Sequence, residues 1–192
     1  MIPDVYGDKM KKYILLLFFF LSANTFGQEI NYMSKDPITG KPMLTGYCNR
    51  EAFNDTSFSW WFNSEYNMYE VDSASLDKIS DKIKNADITI VMGTWCGDSR
   101  TQVPRFYKIL DYLKYPSDKV KLIMVDRDKK ACPPKFQRRR GKSPIADDEA
   151  AGLKINLVPT IIFYEDGKEK GRIVEAPAET LEKDMVRIIK RN

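Results

Sequence analysis

Two short aliphatic runs constrain this chain most. They are 87–92 (DITIVM) and 119–126 (KVKLIMVD). Both are rich in β-branched residues and nearly unbroken by polar ones, the pattern of strands buried on both faces. Between them, Val103, Phe106 and Leu110 fall on one face of a helix predicted from about Gly97 to Leu113. Strand, helix, strand in this order predicts a parallel pair joined by a right-handed crossover. The carboxyl ends of the two strands then lie on one side of the sheet. A third signal follows, since 160–164 (TIIFY) and 169–174 (EKGRIV) flank Glu165-Asp166-Gly167-Lys168, a β-hairpin with Asp166-Gly167 as its turn. Parallel and antiparallel pairs together predict an α/β fold, a central mixed sheet flanked by helices.

The remaining elements are amphipathic. Leu76, Ile79 and Ile83 have helical spacing after the candidate N-caps Ser73 and Ser75. Asp147-Asp148-Glu149 starts an acidic helix turn that ends near Lys154. The last helix is predicted from Pro177. It carries Glu179, Glu182 and Asp184 early, Arg187, Lys190 and Arg191 late, and Leu181, Met185 and Ile188 inward. Residues 56–70 hold Phe58, Trp60, Trp61, Phe62, Tyr66 and Tyr69. These rings form either a peptide- or sugar-binding surface or, the plainer reading, an extension packed on the main domain.

Composition removes whole classes of chemistry. The chain has 192 residues, enough for one domain with a real core, and a net charge of +4 that implies no global field for nucleic acid or membrane. It has no histidine, which excludes Ser-His-Asp and Cys-His nucleophiles and histidine metal sites. Its three cysteines, Cys48, Cys96 and Cys132, are too far apart for a zinc knuckle, so no metal and no cofactor is expected.

The N-terminus reads as a targeting segment. Lys11 and Lys12 precede the apolar run 13–21 (YILLLFFFL), too short to span a bilayer, and Thr25 and Gly27 suit a cut before Gln28. The expectation is a signal peptide over 1–27, an N-terminal extension over 28–65 and the main domain over 66–192. The mature protein is then exported without a membrane span, periplasmic if the source is Gram-negative, and meets an oxidising environment.

That setting bears on 91–100 (VMGTWCGDSR). Cys96 lies where a buried strand gives way to a helix. Unpaired backbone N–H groups and the positive end of the helix dipole favour its thiolate, the attacking species in disulfide exchange. Trp95 can shield one side of the sulfur. The alternative is a buried, inert cysteine.

From residue 66 to the end, the order of elements resembles the thioredoxin superfamily. The resemblance rests on TWCGDS after a strand, on Pro104 eight residues beyond Cys96 like the family's kinking proline, on Val158-Pro159-Thr160 like its cis-proline loop, and on Gly167 in the hairpin turn. It implies a thioredoxin-like fold with an aromatic-rich N-terminal extension. It places Pro159 beside the Cys96 sulfur and pairs the Val158 backbone with a substrate strand. Trp95, Gly97, Asp98, Val158 and Pro159 are thus the expected substrate-binding residues, with Cys96 and Ser99 as the catalytic pair.

Three departures qualify it. Ser99 stands where the family's resolving cysteine usually sits; its hydroxyl can hydrogen-bond the Cys96 sulfur but cannot attack a mixed disulfide. Ile90 replaces a buried acid that handles protons in resolution. Glu175 replaces a glycine of the docking surface. A monothiol site needs another thiol for release, and Cys132 and Cys48 are the candidates within the chain. Cys132 follows a strand whose carboxyl end lies on the same side of the sheet as Cys96, and six residues span ~20 Å, so contact is feasible but not implied. The plainer alternatives are a structural Cys48–Cys132 pair or an idle thiol. From Arg127 to Lys142 eight basic residues face one acid, Asp128; this loop either steers an acidic partner or supports the thiolate, or is a solvated insertion.

The leading expectation is thiol-disulfide exchange through Cys96, with protein thiols or disulfides of the cell envelope, or a small thiol, as partners. A redox-silent binding module or chaperone and a thiol-dependent transferase are the alternatives.

Overall fold

The computed structural model describes residues 30–131, 150 and 152–191. The expected signal segment 1–27, Cys132, the expected acidic turn at 147–149 and the basic run beyond Ala131 lie outside the described residues. In chain order the elements are β1 (Tyr32–Lys35), β2 (Pro42–Cys48), α1 (Thr56–Met68), α2 (Ser73–Leu76), β3 (Asp87–Met92), α3 (Gly97–Tyr112), β4 (Val120–Met124), β5 (Thr160–Glu165), β6 (Lys168–Val174) and α4 (Leu181–Ile189). Short 3-10 turns cover Arg50–Asn54, Lys82–Asn85 and Ser117–Lys119.

The strands form one mixed six-stranded sheet in the order β1-β2-β4-β3-β5-β6. The two aliphatic runs pair in parallel, from Ile88 opposite Val120 to Met92 opposite Met124. The other pairings are antiparallel. Alternation along β3 and β4 divides the core. Ile88, Ile90, Met92, Leu122 and Met124 face the large cluster that takes in α1, α2, α3 and α4. Val91, Ile123 and Val125 face a smaller cluster with Ala131, Ala150 and Val158. Each fully buried side chain of this kind contributes about 1.5–3 kcal/mol. Ile90 is 0% exposed in the middle of that packing. The hairpin turn falls at Asp166 (φ 51°) and Gly167 (φ 72°), both left-handed as a two-residue primed turn requires.

The segment 28–65 is not an appendage. From residue 30 on, its β1 and β2 extend the sheet, and β2 pairs with β4. The boundary expected between 65 and 66 falls inside α1. That helix lies on α3 with Phe58, Trp61 and Phe62 buried; Trp60 stays 67% exposed. Phe53 stacks on Phe62 at 4.6 Å, and Phe62 meets Tyr107 of α3 at 5.9 Å. Such ring pairs add about 0.5–1.5 kcal/mol each beyond area burial. Arg50 and the Tyr66 hydroxyl both donate to Asp111 of α3, at 2.8 and 2.7 Å, and Arg105 of α3 donates to Glu65. The packed-extension reading therefore describes these rings, Trp60 excepted.

Two helix starts differ from expectation. The cap of α2 is Asp72, whose carboxylate accepts from the Ser75 N–H and hydroxyl. The helix is only one turn long; beyond it the Lys78 and Ile79 N–H groups donate to the Ser75 and Leu76 carbonyls, the tighter i to i−3 pattern. Ile79 remains buried in a turn and Ile83 in the 3-10 turn Lys82–Asn85. The last helix begins at Leu181 rather than Pro177. Thr180 caps it by accepting from the Lys183 N–H, and Asp184 accepts from the Ala178 N–H, which holds the preceding residues in a turn.

Candidate functional site around Cys96

Cys96 is the N-cap residue of α3, with extended backbone (φ −87°, ψ 130°). Its N–H donates to the Gly93 carbonyl and its carbonyl accepts from the Arg100 N–H, so the strand turns into the helix within one tight loop. The side chain is half-buried. Its Sγ lies 3.1 Å from the Val158 carbonyl oxygen, which accepts from the thiol. The Val158–Pro159 peptide is cis, and both residues are buried. The backbone of this loop is tied onward to β6, because the Glu175 N–H donates to the Pro159 carbonyl at 2.7 Å. The fold therefore brings the first turn of α3 and the 158–159 loop, 62 residues apart, to one sulfur.

Gly97 and Asp98 are exposed on the first turn. A Cβ on Gly97 would meet nothing within 4 Å, so packing does not demand glycine there; the space beside the thiol is open. Asp98 sits in the first helical turn, where the dipole favours a carboxylate. Leu157, one residue before Val158, is 45% exposed and gives this face an apolar patch.

Ser99 is 0% exposed. Its Oγ accepts from the Gly93 N–H at 3.4 Å, a long contact, in place of the expected bond to the Cys96 sulfur. The hydroxyl points under the loop, where it supports the turn that carries Cys96.

Trp95 is more constrained than its sequence neighbours suggested. Its Nε1–H donates to the Val125 carbonyl at 3.0 Å. Its ring lies directly on Gly93, where a Cβ would stand 2.5 Å from Nε1. The Arg127 guanidinium carbon lies 5.0 Å from the ring centroid. Thr94 beside it is buried; its hydroxyl oxygen accepts from the Leu44 N–H of β2, and its carbonyl accepts from Arg100 Nε at 2.6 Å. Gly93, Thr94 and Arg127 escaped the sequence reading. Arg127 looked like the first charge of a basic loop, yet it donates through Nε and Nη2 to Asp36, 91 residues earlier, which no local pattern reveals.

Cys48 is not brought to Cys96. It ends β2 opposite Leu122, 9% exposed, in the large cluster on the other face of the sheet. Burial pushes its thiol up to about 12, only partly offset by a hydrogen bond from the Asn31 backbone. It edges a cavity of about 300 Å³ shared with Arg50, Tyr107 and Asp111. A protonated thiol there cannot resolve a disulfide on Cys96, because the sheet stands between them. Cys48 and Cys96 are both free thiols.

No protein-family model matches the chain, and no curated protein matches it. Among solved structures it is similar to a protein of unknown function from Pseudomonas aeruginosa, at 11% identity over 68% of this chain and 81% of that one, with a TM-score of 0.42. It is also similar to an HIV epitope-scaffold, at 12% identity over 66% and 70%, with a TM-score of 0.36. Likenesses this distant carry no chemistry from one chain to the other.

Proposed function

We propose that this chain is an exported thioredoxin-like protein that performs thiol-disulfide exchange through Cys96 alone. The observation that carries the reading is the setting of one sulfur. Cys96 caps a 16-residue helix, is open to solvent on one side, and meets the Val158 carbonyl on the other. The only other described thiol is buried across the sheet. The thioredoxin-like assignment is supported by the same order of parts: a parallel β3–β4 pair, a helix opening at the cysteine, an X-Pro loop beside it and an antiparallel hairpin after it.

The reaction balances in two displacements. The Cys96 thiolate attacks one sulfur of a partner disulfide; a new S–S bond forms as the old one breaks, and the leaving sulfur departs as a thiolate that takes a proton from water. The Val158 carbonyl accepts from S–H, so that contact belongs to the resting thiol and is given up on attack. Release needs a second thiol to attack the mixed disulfide and return Cys96 as thiolate. Ser99 supplies a hydroxyl only, so that thiol is a small molecule, a partner protein or Cys132. In this reading residues 1–27 direct export and the partners are thiols or disulfides of the cell envelope.

Trapping tests it. Wild-type protein taken from cells under thiol-blocking conditions should carry adducts on Cys96, seen on non-reducing gels and by mass spectrometry. Cys96→Ala should abolish them. Ser99→Cys, with a thiol in place of the buried hydroxyl one helical turn away, should deplete them and speed insulin reduction. Adducts that persist in Cys96→Ala, or none in wild type, would sink the proposal; the second result would favour the redox-silent binding module.

A further inference from the structure

We infer that Asp36 and Arg127 are positioning residues that clamp the Trp95 indole as a fixed wall beside Cys96, so that the site favours disulfides of docking polypeptides over small electrophiles. The inference rests on the exchange reading of Cys96. Its geometry comes from the segment that sequence treated as an extension.

The clamp has three layers. The backbone of Gly93 lies under the indole, with no room for a Cβ. The Arg127 guanidinium lies 5.0 Å from its centroid, and the Val125 carbonyl holds Nε1. Arg127 has little freedom of its own, because its Nε and Nη2 donate in a fork to the two oxygens of Asp36 at 2.8 and 2.7 Å. A fork of this kind fixes the plane of the guanidinium as well as its place.

Asp36 is fixed in turn. It is 4% exposed and also accepts from the Thr39 hydroxyl at 2.7 Å and the Ile38 N–H at 3.1 Å. Its own N–H donates to the Lys41 carbonyl, and its carbonyl accepts from the Gly40 N–H, which closes the β1–β2 turn around it. Hydrogen bonding by Arg127, more than its bare charge, holds the Asp36 carboxyl far below the usual range, so the fork persists throughout the pH range in which a thiol reacts. A buried carboxylate and a half-buried guanidinium are thus joined at the face of the indole, in addition to the Val125 carbonyl that holds its Nε1. Trp95 and the next residue, Cys96, pack against the same small cluster, and Cys96 is the one thiol there among the described residues.

A fixed ring does two things to a half-buried sulfur. It screens one approach, which slows small reagents that come from any side. It also presents a preformed apolar surface to a polypeptide, which then docks without ordering the ring first. Loosening the ring should move these two rates in opposite directions, which a loss of stability would not do.

The test uses full-length protein with wild-type, Arg127→Met, Arg127→Lys and Asp36→Asn forms, all below their unfolding transitions. Each is assayed for Cys96 alkylation by iodoacetamide and for mixed-disulfide formation with insulin. Each is also compared with Trp95→Phe by near-ultraviolet circular dichroism. In Arg127→Met the ratio of the insulin rate to the iodoacetamide rate should fall about fivefold, the size expected from losing one cation–π contact, and the Trp95 band should collapse. Asp36→Asn should follow in the same direction. Arg127→Lys, which keeps the charge without the fork, should fall between. A ratio within about twofold of wild type with the Trp95 band unchanged in Arg127→Met would overturn the clamp. If wild type forms no mixed disulfide at all, the exchange reading fails separately. The clamp is then upheld by a faster alkylation and a lost band in Arg127→Met, and overturned if both match wild type.

Discussion

Substituting Gly93 by alanine tests how the thiol loop is built. The backbone at Gly93 is not left-handed, so alanine can adopt it; the difficulty is the new Cβ alone. That atom would stand 2.5 Å from Trp95 Nε1, 2.6 Å from Cε2 and 3.0 Å from Cζ2. Carbon contacts are comfortable at about 3.5–4.0 Å, so the indole must retreat by about 1 Å. Retreat breaks the bond to the Val125 carbonyl, worth about 1 kcal/mol, and weakens the Arg127 contact, worth about 0.5–1 kcal/mol. The stiffer unfolded chain returns about 0.4–1 kcal/mol. Gly93→Ala should therefore cost about 1 kcal/mol net, or a melting temperature about 2–4 °C lower for a domain of this size. In a Trp95→Ala background the clash is gone, and the same change should be neutral or stabilise by about 0.5 kcal/mol. Urea unfolding of the four proteins in a double-mutant cycle measures the coupling, expected near 1.5 kcal/mol, above the ~0.5 kcal/mol scatter of independent sites. Equal effects of Gly93→Ala in both backgrounds would refute the claim that the ring rests on this backbone.

Glu175 holds φ at 59°, left-handed, while its N–H donates to the Pro159 carbonyl. Glu175→Gly should raise stability by about 0.5–1 kcal/mol in urea unfolding, while Glu175→Ala should not, because only glycine adopts that backbone without a Cβ penalty. Cys48 should resist iodoacetamide at pH 8 in the folded protein and react on unfolding, as mass mapping would reveal; a native reaction as fast as that of Cys96 would contradict its burial. Because its folded value is raised to about 12, Cys48 contributes stability that is whole below the unfolded thiol range and drains as pH climbs toward 12. The alkaline fall, up to about 1.4 kcal/mol per pH unit, should be shallower in Cys48→Ala. Asp36 has the opposite sign. Its folded carboxyl is depressed by Arg127, so its contribution is present above the unfolded carboxyl range and is lost only as pH falls well below it. The stability gap between wild type and Asp36→Asn should hold from pH 7 to pH 5 and narrow below pH ~4; a gap that vanishes by pH 6 would contradict the pairing.

What the sequence determined by itself is the set of relations that are local or periodic. Nearly unbroken aliphatic runs mark interior strands, the helix between them makes the pair parallel, and β3 and β4 are that pair. The left-handed turn at Asp166-Gly167 depends on two residues and was legible from them. The position of Cys96 between strand and helix followed in the same way. Boundaries set by side-chain capping were less legible, because Asp72 and Thr180 compete with neighbouring serines and a proline, and only the packed chain selects among them. Tertiary structure alone decided the rest. It threaded β2 beside β4, which put Cys48 on the far face of the sheet and denied it to Cys96. It turned the Ser99 hydroxyl to the Gly93 N–H. It also joined Asp36 to Arg127 and both to Trp95. Each of these depends on which distant segment occupies a given side of the sheet. That choice is made by burial summed over the whole core, and no short stretch of sequence contains it.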